Sequence, residues 1–461
     1  MRGIFGKTAV LICLLFIIAG SIVSLHRYWQ YEVFFYDFGI FDQAIWQVSR
    51  FKPPIIDHLV VGGKWIFADH FNPSIFIFSP LFWLTNRSEI LLVAQSVVVG
   101  LSGLVIYFIG RAITKNALFS LSILICYFLF IGLQNAIIAD FHEVTVMTLP
   151  LTLTFWAIIS KKQWLYFLSL IFTLGFKEST FLLGIGIGVF ILLSYRNWWK
   201  VGIGTIILSL IWGVVTIKFL IPYFSGGFYQ YTPTFHETFL GNFTALFDHE
   251  IKRKTLFVSF LSFGFLPFFS LSFWPLFLQD FIVRFLPQLS GNRWGMGLHY
   301  SVQISPLLAI SSFYAFQNLQ KLGIRLRFFS FISILLIVNA IVLYRFVLHG
   351  PLALAYNSAF YKHTKDFTFL NTLIEKVPKD AAVMTQNNLA TRFTHQTVWL
   401  LRDSFGTYSP AYVVVDARSG QNPNNYFGMH DFYGTVNGLK QDPQYEILYK
   451  TDEQFIFRRK K

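Results

Sequence analysis

The sequence predicts a polytopic α-helical membrane protein with a small α/β domain at its C-terminal end. Three observations carry that prediction. Hydrophobic residues make up 54% of the 461-residue chain and charged residues only 13%, against about 25% charged in an ordinary soluble domain. Between residues 8 and 348, apolar runs recur that reach or approach the roughly 20 residues needed to cross a bilayer. Beyond residue 350 the composition turns polar, and short strand-like runs replace the long apolar ones.

The net charge of +14 would suggest nucleic acid as a partner of a soluble protein. Here much of the Lys and Arg lies in short loops between apolar runs, where it sets topology, so nucleic acid is set aside. The surplus suits anionic or phosphorylated lipid headgroups instead. The two cysteines, Cys13 and Cys126, each sit inside an apolar run and define neither a metal spacing nor a disulfide framework. The start MRGIFGK followed by apolar residues 8–25 lacks a small-x-small cleavage site, so it reads as an uncleaved first helix with its N-terminus inside.

Taken in order, a first helix over 8–26 leads to an outer loop over 27–74 that carries Asp37, Asp42, Asp57, His58, Asp69 and His70. Trp29, Phe34, Phe35, Phe38, Phe41 and Trp46 suit short helices lying in the interface. Residues 75–84 are too short to span and read as an interfacial or re-entrant helix. Helices follow over 89–110, 117–137, 144–160, 164–176, 179–194 and 201–222. A second outer loop covers 223–254, two short helices flank SLSFWP within 256–287, and two further spans cover 301–317 and 328–348. The total is about eleven, forming a membrane domain over 1–349. One orientation puts Arg111, Lys115, Lys161, Lys162, Arg196, Lys200, Lys321, Arg325 and Arg327 in cytoplasmic turns and the acidic and histidine-bearing motifs outside.

In residues 350–461 a helical stretch over 358–376 precedes strand-like runs AAVMT, TVWLL, AYVVVD, YEILY and QFIFRR. The last two are split by 450–453 as in a hairpin. These predict a small extracytoplasmic α/β domain.

The run YDFGIFDQAIW (36–46), ADHFNPSIFIFSPLFWL (68–84), Gln95, KES (177–179) and LHYSVQISPLL (298–308) together resemble the bacterial and archaeal membrane family called domain of unknown function 2079. That family is similar to the GT-C superfamily of membrane glycosyltransferases, which includes protein mannosyltransferases and aminoarabinose–lipid A transferases. The resemblance implies a GT-C-like bundle, a polyprenyl-phosphate sugar donor and a first-loop catalytic acid. By position Asp37 matches that acid, with Asp42 as the second match.

Such a transfer needs a base, positive charge or donors for the departing phosphate, and an apolar groove for the lipid. Asp37 is the candidate base; it also reads as a helix cap or a partner for Arg27. Asp42 reads equally as an interfacial salt bridge or cap. Asp69 and His70 could orient the acceptor, bind a metal, or cap the turn before Pro73. Asp140, His142 and Glu143 could hold a divalent metal or cap the following helix. Lys177 could pair with the donor phosphate, or, with Glu178, form an ion pair among helices. Arg293 suits phosphate, and with His299 it could equally anchor the interface. His236, Glu237 and His249 read as ordinary loop residues. The expected partners are therefore a polyprenyl-phosphate sugar, membrane lipid and an acceptor the sequence leaves open, at the cytoplasmic membrane. A transporter or flippase of lipid-linked material, or a non-catalytic membrane assembly protein, are the alternatives; helices largely free of charge favour the transferase.

Overall fold

The first helix runs from Arg2 to Trp29, three residues beyond the expected end at 26. The computed structural model describes residues 2–56, 64–287 and 291–460; Asp57 and His58 of the first loop lie outside the described residues. The chain packs as two compact units. The first comprises Met1–Val23, His70–Ile75 and Val93–Ala355. The second comprises Ser24–Asp69, Phe76–Leu92 and Tyr356–Lys461. The C-terminal domain thus folds together with most of the first loop, which a boundary drawn by composition at residue 350 does not reveal.

The first unit is helical. Among the described residues four helices are long and apolar enough to cross a membrane: Gly3–Trp29, Glu89–Thr114, Arg196–Ser225 and Arg327–Val347. A fifth passes if Ala117–Leu129 and Ile131–Ile138, bent by 47°, count together. The helices Glu143–Ile159, Gln163–Leu174 and Thr180–Ser194 are apolar but shorter. At 1.5 Å per residue, a helix of about 15 residues is shorter than a roughly 30 Å hydrocarbon core, so among the described residues four or five helices, not eleven, are long enough to span by themselves.

Packing in this unit uses small residues and rings. Thr180–Ser194 lies along Trp199–Val215, and a Cβ on Gly188 would meet the Gly202 carbonyl oxygen at 2.8 Å. Only glycine permits that approach, as in small-residue contacts between membrane helices. Phe155, Phe190, Phe273 and Tyr314 form a ring cluster, and the Tyr195 and Tyr314 hydroxyls share a 2.6 Å hydrogen bond.

The second unit holds a small antiparallel pair, β1 (Ile55–Ile56) and β2 (Lys64–Trp65), and a five-stranded sheet. The strands of that sheet are β3 (Val383–Thr385), β4 (Val398–Leu400), β5 (Tyr412–Asp416), β6 (Tyr445–Thr451) and β7 (Gln454–Arg459). Each falls in a run that the sequence marks as strand-like. Their order is β4-β3-β5-β7-β6. β3 is parallel to β4 and β5, while β7 runs antiparallel between β5 and β6. The expected hairpin is β6–β7. Met384, Trp399, Val413, Val415, Phe455 and Phe457 pack with Phe432, Val436 and Leu439 of the helix Phe432–Gln441, burying one face as an amphipathic helix on a sheet must.

Candidate functional site

In the first unit the site is built by three loops that follow apolar helices. After Ile131–Ile138 the chain turns at Asp140, whose φ of +69° is left-handed, a conformation that Asp tolerates better than most residues. Gln95, on the helix Glu89–Thr114, fixes this turn. Its amide donates to the carbonyls of Ile137 (3.3 Å) and Asp140 (2.8 Å) and accepts from the His142 N–H (2.9 Å). Gln95 is fully buried, and satisfying both ends of its amide removes the cost of placing it there. The turn delivers His142 and Glu143. The loop between Gln163–Leu174 and Thr180–Ser194 delivers Lys177 and Glu178. The stretch before Ile304–Lys321 delivers Arg293, His299 and Tyr300.

These side chains close into a ring. Glu178 Oε1 lies 3.0 Å from His70 Nδ1. The His70 ring stacks on Tyr231 at 4.4 Å. Arg293 lies over Tyr231 and Tyr300, at 5.8 and 5.9 Å. Tyr300 meets His299 at 4.2 Å, and His299 meets His142 at 3.6 Å, ring to ring. His142 Nδ1 is 3.5 Å from Glu143 Oε2, and Glu143 Oε1 is 2.8 Å from Lys177 Nζ. Lys177 adjoins Glu178 in sequence, which completes the circuit. Tyr229 donates to Glu178 Oε1 at 2.9 Å, and the Phe71 N–H donates to Oε2 at 3.3 Å.

The electrostatics follow from burial against pairing. Burial alone pushes the Glu178 carboxyl up, but the charge and hydrogen bond of His70, with the charge of Lys177, bring it down to about 2. Burial pulls the Lys177 ammonium down, and the charges of Glu143 and Glu178 more than reverse this. His299 is held well below the usual imidazole range, first by burial and then by His142. The ring therefore combines fixed charges with a neutral imidazole.

Asp140 is buried and forms the left-handed turn that precedes His142 and Glu143. Among the described residues no group of three or more His, Cys, Asp or Glu side chains is arranged to hold a metal. Lys177 holds one oxygen of the Glu143 carboxylate. Tyr229 and Tyr231 were not singled out by sequence; the only signal there is a Tyr-rich loop.

In the second unit Asp37 lies in a π-helical turn, Phe35–Gly39, that runs directly into the helix Ile40–Ser49. Phe35 is fully buried and its ring covers Gly39, where a Cβ would sit 2.2 Å away. The Y-D-F-G sequence thus folds tightly and leaves Asp37 half-buried. Such π turns recur at functional sites. Asp42 is fully buried. Its Oδ2 accepts from Ser88 Oγ at 2.7 Å and from the Thr394 hydroxyl, and lies 3.3 Å from His395 Nε2. His395 stacks on Trp46 at 4.8 Å. Asp42 is therefore committed to tying the first-loop helix to residues 394–395. Asp69 is half-buried and follows the 3-10 turn Ile66–Ala68, its N–H bonded to the Ile66 carbonyl at 3.1 Å.

The profile of a family described as "Predicted membrane protein (DUF2079)" matches residues 27–432. No curated protein matches the sequence. Among solved structures, that of ArnT from Cupriavidus metallidurans in the apo state is similar, with a TM-score of 0.49 and 10% identity, covering 91% of this chain and 93% of that one.

Proposed function

We propose that this chain, which belongs to the DUF2079 family of predicted membrane proteins, is an integral-membrane glycosyltransferase. In this reading it takes a sugar from a polyprenyl-phosphate donor and passes it to an acceptor at the outer face of the cytoplasmic membrane. The observation that carries the reading is the closed ring from Glu178 through His70, Arg293 and His299 to Lys177. It sets two cations, one of them half-buried against buried carboxylates, into an aromatic wall within the helical unit.

The chemistry asks for such a wall. The acceptor oxygen attacks the anomeric carbon while the bond from that carbon to the phosphate oxygen breaks. The phosphate leaves with the electron pair, and the acceptor proton passes to a base. Arg293 and Lys177 would neutralise the leaving phosphate, where a fixed positive charge in a dry site counts most. Glu178 orients His70, leaving its second ring nitrogen for the substrate. Asp37, half-buried in its π turn, is assigned as the base on the family resemblance; Asp42, already committed, is not. The apolar short helices, completed by adjoining segments, would supply the remaining passes toward eleven and a groove for the polyprenyl chain. The N-terminus would then lie inside and the C-terminal domain outside.

The test is incubation of the purified protein with radiolabelled polyprenyl-phosphate sugars. With water standing in for the acceptor oxygen, wild type is expected to cleave the sugar–phosphate bond slowly to free sugar and polyprenyl phosphate, and Lys177→Gln and Asp37→Asn to lose that cleavage while still folding. Translocation of intact labelled donor across a vesicle without cleavage would instead identify a flippase.

A further inference from the structure

The second unit contains polar chemistry that the transfer reaction leaves unused. The chain passes from β3 to β4 on one side and then to β5 on the other. The carboxyl ends of β3 and β5 therefore form a topological switch point, where open α/β sheets place their ligands. Gln386, Asn387 and Asn388 follow β3, and Asp416 ends β5. Gln386, Asn388 and Asn425 are only 1%, 3% and 6% exposed. Yet Gln386 Nε2, Asn388 Oδ1 and Asn425 Oδ1 have no hydrogen-bond partner among the described residues. A buried polar atom left unpaired is costly, so each of these atoms asks for a partner.

The unpaired atoms decide what that partner is. One is an amide N–H donor and two are carbonyl acceptors. A fully ionised phosphate could serve only the donor and a metal cation only the acceptors; hydroxyl groups serve both. The nearby charges are already spent, because Arg418 grips Asp416 through two bonds of 2.8 and 2.7 Å. Two exposed rings, Tyr36 and Phe427, lie 4.3 Å apart on the segments bonded to Asn387, rings of the kind that contact the apolar face of a sugar. The segment between Gly420 and Gly428, both at positive φ, covers these buried amides and joins them through an Asn387 amide bond to the Asn424 carbonyl at 3.0 Å. The Tyr36 N–H donates to Asn387 Oδ1 at 3.0 Å, so the amides are anchored to the same π turn that carries Asp37.

We propose that the carboxyl end of this sheet, with Tyr36 and Phe427 beside it, binds a neutral, hydroxyl-rich saccharide, a proposal that stands independently of the transferase reading. Sugar entry swings the 420–428 segment outward, and its hydroxyls then satisfy Gln386 and Asn388.

The test uses the full-length protein in detergent and saturation-transfer NMR with maltotriose, mannotriose and cellotriose. Trigalacturonate and inorganic phosphate are the charged controls. At least one neutral trisaccharide is expected to bind, weakened about three- to tenfold by Phe427→Ala or Tyr36→Ala. Those two surface variants should fold, and Asn388→Leu, checked by its melting temperature, should weaken binding further. Absence of binding by all three neutral sugars overturns the proposal. So does binding untouched by Phe427→Ala, or preference for a charged probe. Lys177→Gln separates the two ideas: it should abolish donor cleavage and leave trisaccharide binding intact. Loss of donor cleavage activity in every form with saccharide binding retained removes the transferase reading alone. Cleavage without saccharide binding removes the subsite alone.

Discussion

Lys177 and Glu143 meet at 2.8 Å although they are 34 residues apart in sequence. Their contact joins two loops that emerge from different helices, and it places one ammonium beside two buried carboxylates. Removing a single partner from such a pair strands the other charge, which costs about 3–5 kcal/mol. Lys177→Met should therefore lower detergent-solubilised stability by about that amount. Adding Glu143→Gln should recover part of the loss. A double-mutant cycle on chemical unfolding checks this, and simple additivity would contradict the pairing.

Acid should loosen the same unit. Glu178 has its carboxyl lowered from 4.5 to about 2 on folding, so its stabilisation is complete above the unfolded value and is lost as pH falls from about 4.5 toward 2. That is on the order of 3 kcal/mol. His299 is also lowered, from 6.5. The unfolded chain binds that proton more readily, so stability falls as pH drops below about 6.5. Thermal unfolding across pH 7 to 2.5 should show a steady decline, flattened at the upper end in His299→Gln and below about pH 4.5 in Glu178→Gln.

Asp42 offers a purely structural test. Its carboxylate is shared by Ser88, Thr394 and His395. Asp42→Ala should leave buried hydroxyls unpaired and cost about 2–4 kcal/mol. Hydrogen exchange should rise in residues 392–400 and 40–49 together. Faster exchange in only one of these segments would mean that the tie is not what holds them.

Arg293 distinguishes charge from shape. It lies over two tyrosine rings, where a planar guanidinium can stack on the rings and hold phosphate by paired N–H bonds, while an ammonium offers only a point charge. Arg293→Lys should keep the charge and still weaken donor binding about tenfold, whereas Arg293→Ala should weaken it further. Equal binding by Arg293→Lys and wild type would show that only charge matters.

Much of this fold was legible in residue order. Each predicted strand run holds a strand, because alternating β-branched residues between turn signals leave little choice. The apolar helices also fall where their runs lie. The breaks were hidden. The 47° bend at Phe130 interrupts an apolar stretch that contains no proline, so composition reads straight through it. The π turn at Phe35–Gly39 depends on a ring closing over a glycine, a tertiary event. The grouping of the first loop with the C-terminal domain rests on contacts such as Asp42 with Thr394, 352 residues apart. His70, His142, Glu143, Lys177, Glu178, Arg293 and His299 could each be named from their positions beside apolar segments. Their closure into one ring, and the part played by Tyr231 and Tyr300, required the folded chain.

The most direct measurement of the central claim is single-turnover cleavage of a radiolabelled polyprenyl-phosphate sugar by wild type, Lys177→Gln and Arg293→Ala, each confirmed folded by its melting profile. The account predicts release of labelled sugar by wild type, with water as the attacking oxygen, and loss of at least about a hundredfold in both variants. Release by the variants at the wild-type rate would contradict it.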